Sequence, residues 1–306
     1  MMRDFKDILD YAVSKDMKRV SVAVAQDEEV LGALKLANEL GLVNGVLVGD
    51  EKKIRTICKD INFNIKEFCI INELDDVEAS RIAVEQVTIK KADMLMKGLV
   101  DSSVILKAIL KKEADLRTDN LLSHVGLIAS QTYDRILIVS DAAINISPDM
   151  EGKKQIINNS VLAAKAIGIK HPNVALICAK EKVNPKMQAT VDAKQIEEDH
   201  LNSADKSYSV GGPFALDNAV SLKAATQKGI DHKVAGKADI LLMPNIEAGN
   251  VLYKALTFIS DAQAAGIILG AKVPIIMTSR ADSEMTKLNS IAFAMLVADQ
   301  NMTESR

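Results

Sequence analysis

Residues 19–50 run RVSVAVAQDEEVLGALKLANELGLVNGVLVGD, and the changes of texture within them decide the fold. RVSVAVA (19–25) is a β-branched apolar run too short for a helix, and DEEVLGALKLANELG (27–41) is an amphipathic segment opening on acidic residues. GVLVGD (45–50) returns to the first texture. The alternation continues through EKKIRTICK (51–59), FCIINE (68–73), DDVEASRIAVEQVTIKK (75–91), DMLMKGLV (93–100) and DSSVILKAILKK (101–112). This is βαβα repetition. Several of the short runs lack polar alternation, as strands covered by helices on both faces must, so the fold class is α/β with a mostly parallel, doubly wound sheet.

The texture changes near residue 120. LLSHVGLIAS (121–130) and RILIVSDAA (135–143) are separated only by QTYD, a hairpin-length connection that a parallel crossover cannot use. A lobe boundary is therefore expected near residue 130. A second α/β series follows, with a helix at 151–167, a strand at VALICA (174–179), a helix around 187–199, and then YSVGGPFALDNAV (208–220) and ADILLMPNIEAGNVLYKAL (238–256). VPIIMTS (273–279) is expected as the last strand, feeding a terminal helix. In that helix Leu288, Ile291, Ala292, Met295 and Leu296 recur at three- and four-residue spacing, an apolar stripe suited to packing back on the first lobe.

Composition narrows the function classes. The 306 residues are 48% hydrophobic and 26% charged, as in a globular chain with a large core. Lys plus Arg is 38 against 41 Asp plus Glu, with the two signs interspersed, so no basic stripe argues for nucleic acid. An anionic substrate must then be held by a few local cations and backbone N–H groups. Cys58, Cys69 and Cys178 are too scattered for a disulfide framework or a metal knuckle and are expected as buried, inert thiols. MMRDFKDILDYAVSK lacks the apolar centre of a signal peptide, and the longest apolar runs are broken well short of a membrane span, so a cytoplasmic protein without a membrane partner is expected. No GxGxxG follows a strand, no GxxxxGK[ST] occurs, and His124, His171, His200 and His232 show no metal-ligand spacing.

What remains are polar clusters at the ends of expected strands, where open α/β sheets place ligands. In VPIIMTSRADSEMTK, Ser279 and Arg280 precede a helix starting about Asp282 or Ser283, bringing a hydroxyl, a guanidinium and helix N-terminal N–H groups together. That set suits a phosphate, though a capped helix with a surface Arg accounts for it too. PNIEAGN places Asn245, Glu247 and Asn250 beside Gly249, and YSVGGPFALD has Gly211, Gly212 and Pro213 interrupting a strand before Asp217. A tight turn and a capped helix are the plain alternatives. MKGLVDSS supplies Lys97, Asp101, Ser102 and Ser103, and SDAAINISP supplies Asp141 and Asn145; taken by themselves, these are caps.

Taken together and in order, GGPFALD (211–217), PNIEAGNVLYK (244–254) and the strand-borne Ser279-Arg280 make the whole chain resemble the phosphate acetyl/butyryltransferase family. EKVNPKMQATVDA (181–193) and SRADS (279–283) are similar to its butyryl branch. The resemblance implies two α/β lobes with a cleft between them, each a mostly parallel doubly wound sheet, isocitrate/isopropylmalate dehydrogenase-like. The first lobe would comprise 1–130 plus 270–306 and the second 131–269. It implies direct transfer of a short acyl group between coenzyme A and phosphate in a ternary complex, without an acyl-enzyme. Coenzyme A would be a substrate, no cofactor would be tightly bound, and a homo-oligomer is expected. Ser279 and Arg280 are the implied catalytic residues, and Lys97, Ser102, Asp141, Asn145, Gly211, Gly212, Asn245, Glu247 and Asn250 the implied substrate-binding ones. His124 is a further candidate for the anion site. Acetyl-type members carry an acidic residue where this chain has Met285 and Thr286, so the general base stays open among Asp282, Glu284 and Glu247. Acetyl-CoA as substrate, a non-catalytic acyl-CoA-binding module and a dehydrogenase on a similar scaffold are the alternatives.

Overall fold

The computed structural model describes residues 2–304. The chain forms two compact units, an outer one from Lys6–Asn120 and the chain from Ala265 onward, and a middle one from Leu121–Ala264 with the residues before Lys6. The outer unit begins with α1 (Phe5–Val13) and continues β1 (Lys18–Ala23), α2 (Glu28–Glu39), β2 (Val43–Gly49), α3 (Glu51–Asp60), β3 (Phe68–Asn72), α4 (Asp76–Thr88), β4 (Met94–Lys97) and α5 (Ser102–Leu110). The middle unit comprises β5 (Ser123–Ala129), β6 (Leu137–Ser140), α6 (Met150–Ala166), β7 (Asn173–Ile177), α7 (Gln188–Asn202), β8 (Ser209–Phe214), α8 (Leu216–Val220), α9 (Leu222–Gln227), β9 (Ile240–Leu242) and α10 (Ile246–Lys254). After β10 (Gln263–Leu269), the outer unit is completed by β11 (Ile275–Ile276) and α11 (Glu284–Glu304).

In the outer unit the strand order is β3-β2-β1-β4-β11-β10, all parallel except β10 against β11. Val20, Val22 and Ala23 of β1 are all fully buried although their side chains alternate in direction, as a strand with helices on both faces requires. The stripe of α11 is buried against α2, β4 and β11. Phe293, Ala294 and Val297, off that stripe, are buried too, so this helix is enclosed on more than one side.

Two expectations change. The last strand ends at Ile276 rather than Ser279: Ile276 pairs with Met96, and β4 ends one residue later at Lys97, which leaves Met277–Ser279 no ladder to join. Cys58 and Cys178 are buried free thiols, pushed up to about 11 by burial. Cys69, however, is exposed; it lies on β3, the edge strand of its sheet, which is only partly covered.

In the middle unit the order is β5-β6-β9-β7-β8, with β5 and β6 an antiparallel hairpin and the other pairs parallel. Val139, Ala175, Leu241 and Phe214 pack against Val234 and Ala235 in its core. Among the described residues no helix is long and apolar enough to cross a membrane.

Candidate active site

Open α/β sheets bind ligands beyond the carboxyl ends of strands where the winding reverses. In the outer unit the chain winds from β1 out to β2 and β3, then returns to lay β4 on the other side of β1, so the reversal falls between β1 and β4. Lys97 ends β4 at that point and is only 6% exposed. Its ammonium donates to the carbonyls of Gly98 at 3.2 Å and Val100 at 3.1 Å. Burial, and then the charges of Arg280 and Lys287, push it below the usual lysine range, while Asp27 and Asp101 pull the other way. Gly98 is obligatory here, since a Cβ would run into the carbonyls of Ala23 and Val24.

An aspartate stands just before the helix that follows each of β1, β2, β3 and β4. Asp27 accepts the Val30 N–H at 2.9 Å, Asp50 that of Lys53 at 3.1 Å and Asp75 that of Glu78 at 2.8 Å, the ordinary work of an N-cap. Asp101 leaves α5 without a side-chain cap. Its Oδ1 instead accepts from Arg280 Nη2 at 3.2 Å. Arg280 sits in a turn closed by the Ser279 N–H donating to Asp282 Oδ2 at 2.7 Å and the Ala281 N–H donating to Ser279 Oγ at 3.3 Å. The structure thus brings Lys97, Asp101 and Arg280 together; Ser279 and Ser102 are exposed on the adjoining turn and at the start of α5.

In the middle unit β9 is inserted between β6 and β7, and the polar residues gather at the carboxyl ends of β6 and β9. Asp141 is buried and its carboxylate collects the N–H groups of Ala143, Ile144, Asn145 and His124 at 2.7 to 3.2 Å, with Asn145 Nδ2 at 2.6 Å. Asn245 caps α10 by accepting the Ala248 N–H at 3.0 Å, and Asn250 Nδ2 donates to the Ala142 carbonyl at 3.0 Å. Gly249 lets α10 press onto the Asp141 carbonyl, which a Cβ would strike. Glu247 is exposed in the first turn of α10. His124 is buried, its ring edge-on to Tyr253 at 5.6 Å between centroids.

Gly211, Gly212 and Pro213 do not interrupt a strand: they lie within β8, one strand removed from β9. Their small size is used in packing, since a Cβ on Gly211 would enter the His232 ring and one on Gly212 would meet Leu176. Asp217 pairs with Lys228 at 3.1 Å. The residues that sequence reading missed are Lys287 and its partner Glu29, at 3.0 Å. The available signal was that Lys287 is the one charged residue between Glu284 and Asp299 in α11.

Fold and side chains together define an α/β protein with two cations, the buried Lys97 and the exposed Arg280, near one another at a sheet reversal. The family model described as "Phosphate acetyl/butaryl transferase" matches residues 71–295. Phosphate butyryltransferase of Clostridium acetobutylicum is 47% identical over 298 residues, 97% of this chain and 99% of that protein. The crystal structure of a branched-chain phosphotransacylase from Enterococcus faecalis V583 superposes with a TM-score of 0.81 at 32% identity, covering 92% of this chain and 99% of that one. The chain belongs to the phosphate acetyl/butyryl transferase family and is an acyltransferase. Its fold is shared by 4-hydroxythreonine-4-phosphate dehydrogenase from Klebsiella pneumoniae, at a TM-score of 0.57, 13% identity and coverage of 92% and 99%, as the resemblance to a dehydrogenase scaffold implies.

Proposed function

We propose that this enzyme transfers a short acyl group, butyryl or one of similar size, between coenzyme A and inorganic phosphate, with Arg280 and Lys97 holding the phosphate. One observation carries the reading: after three aspartates that cap their helices, the fourth, Asp101, turns to Arg280 beside a lysine buried at the sheet reversal. Two cations kept close together favour an anion between them, and a guanidinium matches phosphate oxygens in bidentate fashion.

In the direction of acyl phosphate synthesis, a phosphate oxygen attacks the thioester carbonyl carbon. The carbonyl oxygen takes up the negative charge, and collapse of the tetrahedral intermediate breaks the C–S bond. Coenzyme A leaves as a thiolate and takes a proton from solvent. In reverse, the thiolate attacks the acyl phosphate and the C–O bond breaks. A free thiol has a pKa of about 8.5, so cations near the sulfur favour its thiolate form. Ser279 is assigned as a hydroxyl donor to the oxyanion, and Ser102, Asn145, Gly211, Gly212, Asn245, Glu247 and Asn250 as substrate-binding residues. Asp141 acts by holding its loop, because its oxygens are already filled by N–H donors. Coenzyme A enters and leaves as a substrate, and the enzyme is proposed to act in the cytoplasm as a homo-oligomer.

The test is thiol release from acetyl-, propionyl-, butyryl- and valeryl-CoA, measured with phosphate and then with arsenate. Phosphate- and arsenate-dependent release with kcat/KM highest for butyryl-CoA or a neighbouring length is expected. Binding of acyl-CoA without arsenolysis would instead identify a regulatory module, and a maximum at acetyl-CoA would assign the acetyl reaction.

A further inference from the structure

Lys287 lies in the first turn of α11, is 2% exposed, and sits where the helix dipole disfavours a cation. Burying an ammonium is costly unless its protons are taken up, so its partners show what the position is for. They are Glu29 Oε2 in the first turn of α2, at 3.0 Å, and the backbone carbonyl of Asp282. Asp282 is also the residue that closes the turn carrying Arg280, through its carboxylate on the Ser279 N–H and its own N–H on the Ser279 carbonyl at 3.2 Å.

The guanidinium cannot place itself. Its pair with Asp101 joins side chains that are 63% and 78% exposed, a contact too weak to fix a long side chain. The position of Arg280 has to come from the backbone beneath it, and that backbone is tied to α2 through Lys287. The same α2 end presents Asp27, whose charge acts on Lys97. Both α2 and α11 are therefore built into the surroundings of the two proposed phosphate ligands. Glu284 strengthens the link, its carboxylate lying where a side chain on Gly32 of α2 would be.

We propose that Lys287 is a positioning residue for the phosphate site: by clamping the Asp282 carbonyl to the Glu29 carboxylate, it holds the Ser279–Asp282 turn in the shape that presents Arg280. The proposal rests on the phosphate-binding reading of Arg280. A purely structural ion pair would give up stability when broken without singling out one substrate. A positioning clamp singles out phosphate.

The experiment measures kcat and the KM values for phosphate and for butyryl-CoA in the full chain and in Lys287→Met, Lys287→Arg and Glu29→Gln, with Tm recorded for each. Lys287→Met is expected to raise the phosphate KM about tenfold or more, with the butyryl-CoA KM within about twofold of wild type. Glu29→Gln should move the phosphate KM the same way by less, and Lys287→Arg should restore part of the loss. A folded Lys287→Met enzyme with unchanged phosphate KM, or with equal changes for both substrates, overturns the proposal. Should Lys287→Met fail to fold, Glu29→Gln decides, since Glu29 is half exposed; an unchanged phosphate KM there overturns it equally. Arg280→Ala is run alongside. If it leaves phosphate KM untouched, the phosphate reading itself falls; if it raises that KM while Lys287→Met does not, only the positioning role falls.

Discussion

Replacing Arg280 with alanine separates catalysis from stability, because the side chain is exposed and Asp101, with which it pairs, is exposed as well. An ion pair of that kind contributes below about 1 kcal/mol to folding. In a chain of this size Tm should therefore fall by less than about 3 °C. The effect on turnover is of another order. Losing a donor aimed at transition-state charge costs about a hundredfold in kcat/KM, which is about 2.7 kcal/mol at 1.36 kcal/mol per decade. The assay is thiol release from butyryl-CoA at varied phosphate, with thermal unfolding on the same preparations. A hundredfold or greater loss with Tm held is the expected pair of results. Kinetics within about threefold of wild type, or a loss matched by a large fall in Tm, would refute the reasoning.

Other consequences follow from groups outside this site. Lys153 and Asp192 form a buried pair at 2.5 Å, with Gln188 donating to Asp192 at 2.8 Å. Asp192→Ala should cost about 3–5 kcal/mol in urea unfolding, and the double variant Lys153→Met/Asp192→Leu less than the single one. Gly211→Ala, whose new methyl meets the His232 ring, should cost about 1–3 kcal/mol by the same measurement. His232 and His200 are both held below the usual histidine range, chiefly by burial. Between their folded values and about 6.5 the unfolded chain binds protons that the folded one does not, so stability falls as pH drops through that window. Tm should decline from pH 7 to pH 5.5, and the decline should be shallower in His232→Asn, which lacks the ring that accepts the Val234 N–H.

The winding of both units was legible because it is written in local chemistry. Strands buried on two faces must be apolar throughout, and each crossover helix needs a capped start, so RVSVAVA followed by Asp27 carries the information for β1 and α2 without reference to anything distant. The hairpin at QTYD was legible for the same reason, the link between β5 and β6 being only the seven residues 130–136, too short for a parallel crossover. β10 was missed although QAAGIIL is apolar: no helix follows it before β11, unlike β1 to β4, and its antiparallel pairing with β11 breaks the strand-helix alternation. The Gly-Gly-Pro of β8 misled because glycine was taken as a sign of a turn. Its cause lies in His232, twenty-one positions from Gly211 in sequence and against it in space.

The site was legible as types of residue and not as roles. Asp27, Asp50, Asp75 and Asp101 look alike in sequence, each opening a helix after a strand, and a cap is the right inference for the first three. Nothing local to Asp101 separates it from them. What does so is Arg280, 179 residues away in the chain, delivered by a turn whose carbonyl is held by Lys287. The cap foregone at Asp101 is worth about 1 kcal/mol of helix stability, and the exposed pair that replaces it returns no more than that. Folding energy therefore gives no reason for the exchange. A reason appears only when the guanidinium has a third party to bind, and the pair of cations, Arg280 with the buried Lys97, sets the sign of that party's charge.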